Sequence, residues 1–106
     1  MQEMSVLDLQ RKHDAGEPLF LLDVREPDEI ATASIAWADA TIPMGQVPAQ
    51  LDALPKDTPI AVLCHGGGRS ARVTGFLNDN GFPNAVNVAG GIDAWSAHVD
   101  PSVPTY

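Results

Sequence analysis

The chain has 106 residues, of which 44% are hydrophobic, so its length suits one independently folded domain and leaves little room for a second. Its formal net charge of -8 disfavours nucleic acid and anionic membrane surfaces as partners, because both would repel an acidic protein. No stretch approaches the ~20 apolar residues of a membrane span. The start, Met1 to Met4, lacks the basic and apolar regions of a signal peptide. We therefore expect a single domain over residues 1–106 and a cytoplasmic protein.

Cysteine and histidine are sparse in this chain. Cys64 is the only cysteine, and the histidines are His13, His65 and His98. A lone thiol forms no internal disulfide, which agrees with a reducing compartment, and it excludes a site built from several thiolates. The histidines lack the spacing of metal ligands. We expect no metal and no cofactor.

The first part of the chain predicts a helix, a buried strand and a segment without a clear pattern. Ser5 is a candidate N-cap and Gly16 a stop signal, so a helix is predicted over residues 5–15. The apolar run over residues 19–24 is typical of a strand buried on both faces of a parallel sheet. The Ala-rich segment 28–39 is not assigned.

The remaining elements alternate between strand and helix. The sequence predicts a short strand over 41–43, a helix over 48–54 with Pro48 in its first turn, a strand over 60–63, a helix over 70–80 ended by Gly81, a strand over 85–88, a short helix over 92–98 and an irregular tail over 100–106. Alternation of this kind predicts an α/β fold with a central parallel sheet and helices on both faces. Ligands of such sheets bind beyond the carboxyl ends of the strands, which is where the residues after Leu63 lie.

A glycine-rich loop joins the predicted strand 60–63 to the following helix. It consists of Cys64, His65, Gly66, Gly67, Gly68, Arg69 and Ser70. Glycines can take positive φ and turn backbone N–H groups inward, and a helix start adds free N–H groups and a positive dipole end. Three successive glycines exceed the one or two that a turn needs. The loop therefore predicts an anion pocket with a thiol at its mouth.

The thiol of Cys64 should ionise more readily in this loop than its reference pKa of about 8.5 implies. Arg69 adds a permanent positive charge, and Arg72 lies one turn further along. The thiolate is the nucleophilic form of cysteine. The same N–H groups would stabilise the outer sulfur of a persulfide and hold the oxyanion end of a donor such as thiosulfate. An inert, buried cysteine is the alternative interpretation.

At this loop the sequence resembles the rhodanese-like domains. The active loop of that family is Cys-x-x-Gly-x-Arg-Ser, which Cys64, Gly67, Arg69 and Ser70 match. Residues 21–29 resemble the first motif of the family, and residues 88–95 resemble its last. The resemblance covers nearly the whole chain and implies a rhodanese-like fold with sulfur transfer through Cys64.

Loop length and one segment bear on this resemblance. Related phosphatases use seven residues from cysteine to arginine, whereas Cys64 to Arg69 counts six, so the resemblance implies sulfur transfer over phosphate hydrolysis. Where the family usually has Gly-His-Ile-Pro-Gly-Ala, residues 33–38 are Ala-Ser-Ile-Ala-Trp-Ala. This departure leaves the catalytic loop intact.

Asp23 and Arg25 end the first long strand, where the family places them near the active loop. Arg25 could add to a positive rim while Asp23 fixes the loop by hydrogen bonds. We favour a structural ion pair, because charges at strand ends commonly pair.

Four other residues near these motifs receive simpler interpretations. His65 is expected to point outward and to shape substrate entry more than to move a proton. Trp95 is expected in the core. Asp28 and Glu29 are expected to form a solvated helix start.

The leading functional hypothesis is a sulfurtransferase. A small anionic donor such as thiosulfate, or a persulfide, would charge Cys64, and an external acceptor would discharge it: cyanide, a small thiol or a protein thiol. The second hypothesis is a sulfur-relay or sensing module that acts on a protein partner. A phosphatase or arsenate reductase is disfavoured by the short loop, and a purely binding domain by the intact cysteine.

Overall fold

The computed structural model describes all 106 residues, and its elements alternate along the chain. The strands are β1 (Glu3–Met4), β2 (Phe20–Asp23), β3 (Ala40–Thr41), β4 (Ile60–Leu63) and β5 (Ala85–Val88). The helices are α1 (Val6–Asp14), α2 (Pro27–Thr32), α3 (Gly68–Asp79) and α4 (Gly91–His98), and a 3-10 helical segment covers Met44–Ala53. The strands form one parallel sheet in the order β1-β5-β4-β2-β3. The predicted α/β fold with a parallel sheet is confirmed.

The sheet separates two apolar cores. Side chains alternate along a strand, so neighbours such as Leu21 and Leu22 enter different layers. Leu22 packs with Val62 below α3 and the 3-10 helical segment. Leu21 packs with Leu63 below α1 and α4. This double burial is why the central strands are apolar at successive positions. None of the helices combines the length and apolar character that crossing a bilayer requires.

Most element predictions hold within two residues, and the helix signals act as expected. The Oγ atom of Ser5 accepts a hydrogen bond from the Asp8 N–H at 3.0 Å, which caps α1. Gly16 follows that helix with φ of 68°. α3 begins at Gly68 instead of residue 70, because the left-handed backbone of Gly67 turns the chain directly into the helix.

Two predictions in the first half of the chain are wrong in detail. The helix expected over 48–54 is a 3-10 helical segment that begins at Met44 and has non-helical backbone at Gln50. Pro48 lacks the N–H that would bond to the Met44 carbonyl in an α-helix, which favours tighter turns. The short strand expected over 41–43 is displaced to Ala40–Thr41. The segment 28–39, which the sequence leaves unassigned, contains all of α2 except its first residue, Pro27.

The segment 33–38, which departs from the family pattern, is anchored by aromatic contacts. The Trp37 ring stacks on His13 at 3.7 Å between centroids and meets Trp95 edge-on at 5.8 Å. Ala33 and Ile35 are buried in the same core. Trp95 itself is 5% exposed, as expected for a core residue. The replacement residues therefore fix this loop against α1 and α4.

A buried ion pair ends β2. Arg25 is fully buried, and its Nη2 atom lies 2.7 Å from the Asp23 carboxylate. The same nitrogen donates to the Ala33 carbonyl at 2.8 Å, so the guanidinium joins the end of β2 to the residue after α2. A fully buried guanidinium is an internal brace and not part of an accessible positive rim.

We predict that Arg25→Ala lowers the free energy of unfolding by about 3–5 kcal/mol, because it leaves the Asp23 carboxylate buried without a counter-charge. Urea unfolding followed by tryptophan fluorescence would measure the loss. The matched control is Arg11→Ala, which removes the exposed ion pair between Arg11 and Asp8 and should cost less than about 1 kcal/mol. Equal, small losses in the two variants would contradict this interpretation of Arg25.

Candidate active site

Cys64 lies directly after the central strand β4, with its side chain turned under the glycine-rich loop. Its exposed fraction is 1%. The Sγ atom accepts hydrogen bonds from the Gly67 N–H at 3.1 Å and from the Ser70 hydroxyl at 3.2 Å. The loop therefore closes donors around a single sulfur atom.

The three glycines of the loop play different parts. Only Gly67 adopts a positive φ, of 109°, and a Cβ there would lie 3.2 Å from the Gly90 nitrogen. Gly66 and Gly68 are exposed, and a Cβ at either position would meet no heavy atom within 4 Å. One glycine thus shapes the turn. The other two leave the outer face of the loop without side chains.

The start of α4 supports the loop from the neighbouring strand. The N–H groups of Ile92 and Asp93 donate to the carbonyls of Cys64 and His65 at 2.9 and 3.1 Å. Gly91 has φ of 59°, and a Cβ there would lie 2.5 Å from the Cys64 oxygen and 2.4 Å from the His65 oxygen. The glycine is required because the two backbones approach so closely.

Opposing effects act on the thiol. Burial raises the pKa of Cys64, but hydrogen bonds from the Ser70 hydroxyl and from the backbone N–H groups of Ser70, Gly67 and Arg69 lower it, and the net pKa lies below its ordinary value. The lowered pKa was expected from the sequence, with the Arg69 charge as one cause. The structure assigns the lowering chiefly to the hydroxyl and the backbone donors.

The side chain of Arg69 is held by a carboxylate. Its Nη1 and Nη2 atoms lie 2.7 and 2.8 Å from the two oxygens of Glu29, a parallel pair of charge-assisted bonds. These bonds lower the pKa of Glu29 to about 2. The expectation of a solvated Glu29 is wrong, since its side chain is 16% exposed and faces α3, whereas Asp28 is exposed. Arg69 and Glu29 are 40 residues apart in the sequence, so no local pattern predicts the contact.

Tyr106, in the irregular tail, completes the rim of the site. Its hydroxyl donates to Glu29 Oε2 at 2.8 Å and accepts from Arg25 Nη1 at 2.9 Å. Its ring stacks on His65 with 3.9 Å between centroids. The His65 Nε2 atom lies 3.0 Å from an Asp93 oxygen. Sequence reasoning missed Tyr106, because nothing in the tail indicates where it folds.

Comparison with known proteins agrees with this fold and loop. The family model described as Rhodanese-like domain matches residues 5–98, and the chain belongs to this family of sulfurtransferases. It is 39% identical over 101 residues to putative sulfurtransferase YtwF of Bacillus subtilis, covering 95% of this chain and 96% of the relative. It is also 32% identical over 98 residues to putative sulfur carrier protein YrkF of the same organism, covering 92% of this chain and 52% of the relative.

A solved structure extends the similarity to three dimensions. The crystal structure of a rhodanese-like domain protein from Staphylococcus aureus is similar to this chain with a TM-score of 0.85 and 34% identity. The alignment covers 100% of this chain and 99% of the other. The sheet and helices described above are thus those of the rhodanese-like fold.

We predict that Ser70→Ala raises the pKa of Cys64, because the hydrogen bond from the Ser70 hydroxyl stabilises the charged thiolate more than the neutral thiol. A hydrogen bond to a charged group contributes about 1.5–3 kcal/mol, which corresponds to a rise of about one to two pKa units. The pH profile of Cys64 alkylation by iodoacetamide measures it. Arg72→Ala, on the same helix, is the control and should leave the pH profile of alkylation unchanged. An unchanged Ser70→Ala profile would show that the hydroxyl does not stabilise the thiolate.

Proposed function

We propose that this protein transfers sulfane sulfur through a persulfide formed on Cys64. The observation that carries the proposal is the convergence of the Gly67 N–H and the Ser70 hydroxyl on Sγ. Donors so placed stabilise a thiolate, and they can also donate hydrogen bonds to the negative outer sulfur of a persulfide. In this proposal Cys64 is catalytic, residues 65–70 bind the sulfur or its donor, and Asp23 and Arg25 brace the site.

The first half-reaction loads the cysteine. The Cys64 thiolate supplies the electron pair for a new S–S bond to the outer sulfur of thiosulfate. The original S–S bond of thiosulfate breaks, and sulfite leaves with its electron pair. Cys64 then carries Cys–S–S⁻. With an organic persulfide as donor, the same attack releases the thiolate of that donor, and the proton stays on the transferred sulfur.

The second half-reaction removes the outer sulfur from the Cys64 persulfide. An acceptor such as cyanide attacks the outer sulfur, thiocyanate forms, and the electron pair of the S–S bond returns to Cys64 as the thiolate. Cys64 is the only cysteine in the chain, so no internal thiol resolves the persulfide. The acceptor is therefore external: cyanide in an assay, or a small thiol or a thiol of another protein in the cell. A reducing cytoplasm, in which free thiols persist, is the compartment we propose.

A protein acceptor defines the second candidate function, a sulfur relay. The relative named as a putative sulfur carrier supports it, and the chain covers 52% of that protein. The chemistry at Cys64 would be the same in both cases. The candidates differ only in whether a small molecule or a partner protein removes the sulfur.

We predict that the purified protein forms thiocyanate from cyanide and a sulfane donor, and that Cys64→Ser abolishes this activity. A serine hydroxyl is close in size to the thiol but forms no persulfide. Colorimetric detection of thiocyanate measures the rate, and urea unfolding verifies that the variant folds. Retained activity in a folded Cys64→Ser protein would exclude Cys64 as the carrier. Rapid hydrolysis of an aryl phosphate without thiocyanate formation would instead favour the phosphatase class.

A further inference from the structure

The two arginines nearest to the candidate site in the sequence motifs, Arg69 and Arg25, are each paired with a carboxylate. Arg69 is bound by both oxygens of Glu29, and Arg25 is buried against Asp23. The next arginine along α3, Arg72, is exposed and lines a separate apolar groove against the 3-10 helical segment. The loop therefore offers hydrogen-bond donors to the sulfur without offering an unpaired cation to its donor molecule.

We propose that Glu29 determines donor specificity: by pairing with Arg69 it favours sulfur donors of low net charge, such as a zwitterionic organic persulfide, over the thiosulfate dianion. The proposal rests on the sulfurtransferase function proposed above and names the substrate class of that site. It assigns Glu29 no part in the chemical step.

The charges that meet in the first half-reaction differ between the two donors. A thiolate must meet the donor, and thiosulfate brings two negative charges and leaves as sulfite with two. An unpaired guanidinium beside the thiolate would offset this repulsion. Arg69 and Glu29 together carry no net charge, so the pair offsets this repulsion less than an unpaired guanidinium would. In the protonated form of cysteine persulfide, which is the form attacked in the first half-reaction, an ammonium group balances the carboxylate, so the penalty is smaller.

Glu29 is held in this role from several sides. The Tyr106 hydroxyl donates to Oε2 at 2.8 Å, and the Glu26 N–H donates to Oε1 at 3.1 Å. With Arg69, these bonds fix both carboxylate oxygens at the end of the first turn of α2. The pKa of Glu29, lowered to about 2, keeps the carboxylate charged throughout the neutral range. Glu29 is consequently available as the charged partner of Arg69 throughout that range.

The test compares kcat/KM for thiosulfate and for cysteine persulfide, with cyanide as acceptor and the enzyme-free rate subtracted. Glu29→Gln removes the charge and keeps the size of the side chain. It should lower KM for thiosulfate and raise kcat/KM by about tenfold, the effect of one partly screened charge. The values for cysteine persulfide should change less than about twofold, because its protonated, reacting form carries no net charge.

Two variants make the test specific. Asp28→Asn changes the same charge at the neighbouring, exposed position, and should leave both donors unaffected. Tyr106→Phe keeps the ring that stacks on His65 but removes the hydroxyl that holds Glu29. It should also raise kcat/KM for thiosulfate, by a smaller factor than Glu29→Gln does. This variant also serves as the readout if Glu29→Gln does not fold.

The outcomes separate the specificity proposal from the function. If Asp28→Asn raised kcat/KM for thiosulfate as much as Glu29→Gln does, the effect would come from overall charge, and the role of Glu29 would be overturned. Unchanged thiosulfate kinetics in folded Glu29→Gln, or an equal loss with both donors, would overturn it as well. If the wild-type protein forms thiocyanate from neither donor, the sulfurtransferase function itself fails.

Discussion

The site depends on two opposing effects on the pKa of Cys64: the burial of its sulfur and the hydrogen bonds that reach that sulfur. Burial alone would keep the thiol protonated and inert. Hydrogen bonds from the Ser70 hydroxyl and the loop N–H groups outweigh the effect of burial, and the net pKa of Cys64 falls below its ordinary value. Most of these donors are backbone groups, so the fold itself, through the turn at Gly67, sets the reactivity of the sulfur.

The parallel sheet brings the supports of this loop together. β5 neighbours β4, and the helix after it places Gly91 against the Cys64 carbonyl. β2 lies on the other side of β4, and the helix after it places Glu29 against Arg69. Both supports follow strand ends at the carboxyl edge, where a parallel sheet gathers segments that are distant in sequence. The loop thus receives backbone hydrogen bonds from α4 on one side, and its Arg69 pairs with Glu29 of α2 on the other.

Local patterns predict the buried strands and the glycine-rich loop after β4, because continuous apolar runs and the glycine cluster are visible in short windows. They did not predict α2, a short helix with no buried residue and hence no apolar stripe. Nor could they predict contacts over long separations. Tyr106 and Glu29 are 77 residues apart, and the hydrogen bond that joins them exists only after the tail folds across α2. Pro48 was recognised as a helix start, but its missing N–H instead favours a 3-10 helical segment.

The most direct test of the account is the intact mass of the protein after incubation with cysteine persulfide or thiosulfate under non-reducing conditions. The account predicts a gain of about 32 Da, one sulfur atom, that cyanide removes. Fragmentation should assign the added sulfur to Cys64, and Cys64→Ser should show no gain. A folded wild-type protein that acquires no sulfur from either donor would contradict the claim that Cys64 carries sulfur.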